Sequence, residues 1–103
     1  GRAENALKLY VMAADEFCRE MFGFRESFDR AMRLMAEAED RKKQVRFCEA
    51  LLKKLPRQRS NVDRTRNRLN PNYTHVVTAY VRVLEEAGMN EAADRWRSEL
   101  QPR

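Results

Sequence analysis

Apolar residues recur every three or four positions along almost the whole chain. The glycines and prolines that could break a helix stand between those stretches, at Gly23, Pro56, Pro71 and Gly88. That spacing is the signature of amphipathic helices and predicts an all-α fold. Composition agrees: 36% of the residues are charged and there are only three Gly and three Pro, which suits a small helical bundle. A chain of 103 residues is expected to form one domain. At that size it buries about two thirds of its unfolded surface, enough for one modest core.

The first helix is expected over residues 3–22. Leu7, Tyr10, Val11, Ala14, Phe17, Cys18 and Met21 make its apolar face, and Lys8, Asp15, Glu16, Arg19 and Glu20 lie opposite. Gly23 is a natural left-handed terminator, and Phe24 can fold back on the last turn. The next stripe runs through Phe28, Ala31, Met32, Met35, Ala38, Val45, Cys48, Leu52 and Leu55. Its middle is the polar run EDRKKQ, where Lys42 falls on a position that wants an apolar group. Either one helix spans 25–55 or two helices meet near residue 40. With no Gly or Pro inside, and with Glu37–Arg41, Glu39–Lys43 and Glu49–Lys53 spaced for ion pairs, one long helix is preferred. It would span roughly 45 Å, more than the first helix can cover, so part of its face would be left for later helices or a partner.

Pro56 ends that helix. Ser60 and Asp63 look like a capping pair for a short basic helical turn over 60–69, with an extended loop as the alternative. Asn70 before Pro71 is a start signal for a helix over 71–87, whose apolar face is Tyr73, Val76, Val77, Tyr80, Val83, Leu84 and Ala87. Gly88 closes it. Asn90 is expected to cap a last helix over 91–100, with Ala92, Ala93, Trp96 and Leu100 inward, giving a C-terminal helical hairpin. The expected architecture is a compact bundle of four main helices plus the short basic turn.

Chemistry-bearing patterns are scarce. His75 is the one histidine, with no Ser or Cys beside it in sequence to suggest a nucleophile pair, and reads as a surface or boundary residue. Cys18, Cys48 and His75 match no zinc spacing, and three isolated glycines cannot form a phosphate loop. The carboxylates, on helices this rich in Lys and Arg, read as solvated ion pairs. We therefore expect no enzyme, no metal and no small-molecule cofactor. Cys18 and Cys48 fall on apolar stripes and are expected to be small buried thiols; a disulfide would need an oxidising compartment. The longest apolar runs are only a few residues, so neither a membrane span nor a signal-peptide core is expected. An intracellular place follows, nuclear or cytoplasmic. The start on Gly1 suggests a domain cut from a longer protein.

Two features could bind something. Residues 53–70, KKLPRQRSNVDRTRNRLN, hold seven Lys/Arg against one acid, so the basicity of the chain (net +5) is a patch. Arg57, Arg59, Arg64, Arg66 and Arg68 could fork onto nucleic-acid phosphates or an acidic protein, or simply keep a connection solvated. On a helix, alternate arginines fan across about 200°, unlike the single basic face of a groove reader. The second feature is the length of the Met- and aromatic-rich stripes. Met32, Met35, Val45, Tyr73, Val77 and Tyr80 are candidates for a groove that accepts a partner helix or peptide, or a second copy of the chain, against core packing as the plainer reading.

The segment ENALKLYVMAADEFCREM, residues 4–21, resembles the middle helix of the microtubule-interacting-and-transport family. AMRLMAEAEDRKK, residues 31–43, resembles that family's third helix. The resemblance covers under half of the chain, lacks a counterpart of the family's first helix and departs from Pro56 onward. YTHVVTAYVRVLEEAGMNEAADRW resembles a tetratricopeptide or pentatricopeptide hairpin, with the spacing before Gly88 disturbed. These resemblances imply helical hairpins that bind proteins or RNA. The expected function is thus a protein-interaction module, with nucleic-acid binding through the arginines as the alternative.

Overall fold

Among the described residues, five helices, α1 (Arg2–Phe17), α2 (Phe24–Glu37), α3 (Arg41–Lys54), α4 (Pro71–Glu86) and α5 (Asn90–Ser98), account for nearly all the apolar periodicity. The computed structural model describes residues 2–20, 22–57 and 69–101, and no strand occurs among them. The short basic turn expected over 60–69 lies, but for Leu69, outside the described residues.

The expected single helix over 25–55 is two helices. Ala38 to Asp40 turn the chain, with Glu39 in the left-handed region at φ 56°. Asp40 N–H donates to Met35 O at 2.9 Å and Glu39 N–H to Ala36 O at 3.0 Å, the paired bonds of a Schellman ending. Asp40 then caps α3, its carboxylate accepting from Lys43 N–H at 3.1 Å. The break resets the helical phase, so Lys42 is exposed while Gln44, Phe47, Cys48 and Leu51 face inward. Arg41 pairs across to Glu86 at 4.0 Å, not back to Glu37.

The first helix stops at Phe17, five residues before the expected end. Asn72 explains the early stop. Its Nδ2 donates to Cys18 O at 3.0 Å and to Glu20 O at 2.7 Å, satisfying carbonyls beyond the last helical turn from another helix. Gly23 does take a left-handed φ of 89°, but as the residue that leads into α2. At the end of α4, Gly88 (φ 77°) sits in a Schellman ending of its own: Met89 N–H donates to Leu84 O and Gly88 N–H to Glu85 O. Met89, not Asn90, occupies the position before α5.

Each helix packs mainly on its neighbours in sequence, α1 on α2, α2 on α3, α3 on α4 and α4 on α5. The result is a slab of 48 × 31 × 16 Å. Its centre is an aromatic row: Phe28 stacks on Phe24 (5.7 Å between centroids) and on Phe47 (5.4 Å), with the His75 ring edge-on at 5.6 Å. α4 runs through the interior with Asn72, Tyr73, Val76, Val77, Tyr80, Val81, Val83 and Leu84 buried. Both cysteines are buried free thiols, and burial pushes the Cys48 thiol up to about 12, so it stays protonated at neutral pH.

Candidate interaction surfaces

The expected partner groove does not open on the surface. Met35 is 1% exposed, Val77 is fully buried, Tyr73 and Tyr80 are buried, and Met32 and Val45 are half-buried against the same core. Tyr80 meets Trp96 of α5 edge to face at 5.4 Å. Breaking the long helix removes the surplus face, because α2 and α3 each find a neighbour for their stripe.

Of the five arginines singled out, Arg57 is described, and it serves the fold. Its Nε donates to Glu99 Oε2 at 3.0 Å and its Nη2 to Glu99 O at 3.1 Å, in a site where the Arg57 side chain is 20% exposed. Its carbonyl accepts from Asn70 N–H at 2.8 Å, so the two ends of the intervening basic segment are tied together. Arg59, Arg64, Arg66 and Arg68 lie outside the described residues. We expect Arg57→Ala to lower stability by about 1–2 kcal/mol, read by urea unfolding, because a part-buried, charge-assisted contact is lost. An unchanged midpoint would show that this contact does not hold the end of α5.

His75 is brought to a carboxylate: its Nε2 lies 2.6 Å from Asp29 Oδ1. The pair sits in a shallow open groove of about 430 Å³ between α2 and α4, with Arg25, Arg82, Thr74 and Thr78 on its walls. Thr78 Oγ1 donates to Thr74 O at 2.8 Å, so that hydroxyl is engaged with the backbone, and no cysteine lines the groove. Among the described residues, no group of three or more His, Cys, Asp or Glu side chains could hold a metal ion. None of the described helices is long and apolar enough to cross a membrane.

The surface that stands out lies on α1. Its inward face docks on α2 through Leu7, Tyr10, Val11 and Ala14, with Arg30 Nη1 donating to Tyr10 Oη at 3.4 Å. Its outward face carries Leu9 and Met12, each 66% exposed, and Phe22 at 82% follows in the turn after it. α1 and α5 are the two ends of the packing order, yet they finish it differently. α5 exposes Asn90, Glu91, Asp94, Arg95 and Arg97. A linear stack of helices needs a polar outer face on its terminal members; α5 has one, whereas on α1 Leu9 and Met12 interrupt the exposed Arg2, Asn5, Lys8, Asp15 and Glu16. The sequence signal was present: two large apolar side chains three residues apart, off the main stripe.

No protein-family model matches the chain, and no curated protein and no solved structure matches it. The segment that resembles a third helix, residues 31–43, straddles the turn between α2 and α3 and is not one helix.

Proposed function

We propose that this chain is a protein-interaction module that docks a helix against the outward face of α1. The observation that carries the reading is the pair Leu9 and Met12, two long apolar side chains two thirds exposed on an end helix. With two thirds of each side chain in water, roughly 1–2 kcal/mol of burial is left for each, which a partner helix would recover. The half-buried Ala6 and Ala13 beside them give a partner room to approach closely. The alternative is a nucleic-acid contact through Arg59, Arg64, Arg66 and Arg68, without Arg57, whose guanidinium is engaged with Glu99.

A photo-crosslinking amino acid in place of Leu9 or Met12 tests the reading in cells. Discrete protein adducts are expected from both positions and not from a control at Arg95 on α5. Absence of protein adducts at both positions, with the fold intact by circular dichroism, would remove the interface from α1.

A further inference from the structure

We infer that the occupant of the α1 face is a second copy of the chain, its α1 antiparallel to the first about a two-fold axis at Leu9. The inference rests on the interface proposed above and adds the identity of the partner. Arg2, Asn5, Leu9, Met12 and Glu16 follow one another at spacings of three and four, so they form one seam down the outside of α1. All five are exposed. With the axis at Leu9, an antiparallel copy sets Leu9 against Leu9, Met12 against Ala6, Asn5 against Ala13 and Arg2 against Glu16. On either side of the Leu9 pair, Met12 and Asn5 then meet the short, half-buried Ala6 and Ala13 that flank the seam. Both ends close with opposite charges.

The charges also choose the direction. A parallel copy would place Arg2 on Arg2 and Glu16 on Glu16. In the chain itself neither has an ion-pair or hydrogen-bond partner among the described residues. The two sit fourteen residues apart, roughly 21 Å along the helix, which spans the apolar centre. A two-fold interface must be self-complementary, and this seam is. A single helix of 16 residues against its copy is a small contact, so the association belongs in the micromolar range.

Sedimentation equilibrium from about 10 μM to about 1 mM reads the association directly. Wild type is expected to dimerise. R2E and E16R, which place like charges at both ends, should each weaken the dimer about tenfold. An equimolar mixture of the two should associate within about threefold of wild type, because every mixed dimer again sets opposite charges against each other at both ends of the seam. Leu9→Asp should abolish association while the circular dichroism spectrum stays unchanged. A wild type monomeric up to about 1 mM overturns the second copy as occupant, and so does a mixture no tighter than its components. Neither result touches adducts to a different protein at positions 9 and 12, so the two readings fail separately.

Discussion

Met35→Glu is expected to remove most or all of the stability of this chain at neutral pH, whereas Met12→Glu is expected to change it by no more than about 0.5 kcal/mol. The chemical change is the same; the surroundings differ. Met35 is 1% exposed at the inner end of the α2 stripe, and Met12 is 66% exposed on α1. A carboxylate at position 35 would lose its water among apolar side chains, and its pKa would rise until it folded protonated or did not fold. The penalty for charge burial and the lost methionine packing together come to about 5 kcal/mol or more. A domain of this size holds about 5–15 kcal/mol in total. Urea unfolding followed by circular dichroism separates the two variants. A Met35→Glu protein as stable as Met12→Glu would mean that the α2 stripe does not face the core.

That contrast shows what a sequence can reveal. The apolar stripes were legible, and Phe28, Ala31, Met35, Cys48, Val76, Val77, Tyr80 and Leu84 are buried as their spacing predicts. What covers a stripe was not legible, because it depends on where the chain turns. Gly88 announced its turn, since glycine takes a left-handed φ without strain. Glu39 adopts the same conformation in the same hydrogen-bonded ending with a side chain that gives no such signal. One unreadable turn made a helix of about 45 Å out of two short ones, and the surplus apolar face followed from that error. The exposed pair, Leu9 and Met12, lies off the apolar stripe of α1, on the side that also carries Lys8 and Glu16. The early end of α1 was hidden for a related reason: its cause, Asn72, is more than fifty residues away in sequence.

Asn72→Asp tests that long-range cap, and its effect should depend on pH. Asn72 is 6% exposed, and both acceptors of its Nδ2 are backbone carbonyls, at 2.7 and 3.0 Å. An ionised aspartate has no proton to give and would point its charge at two carbonyl oxygens. Position 72 is also the second residue of α4, where the helix dipole favours a negative charge by about 0.3–1 kcal/mol. The carbonyls win, because losing buried hydrogen bonds to them costs about 1–3 kcal/mol and ionisation adds repulsion. The folded state should therefore hold the new carboxyl protonated, with a pKa above the unfolded value of about 3.9. A raised folded pKa contributes stability that is complete below the unfolded pKa and is lost as pH rises to the folded one. Near pH 4 the variant should be about 1–2 kcal/mol less stable than wild type, since a protonated carboxyl can donate to one carbonyl only. By pH 7 the deficit should reach about 3–5 kcal/mol, adding about 1.4 kcal/mol for each pH unit between the two pKa values. The trend runs opposite to that of a paired carboxylate, which loses stability in acid. Urea unfolding of both proteins at pH 4, 5.5 and 7 gives the difference directly. A deficit that stays constant across that range would place the carboxylate in water, and α1 would then end for a reason other than Asn72.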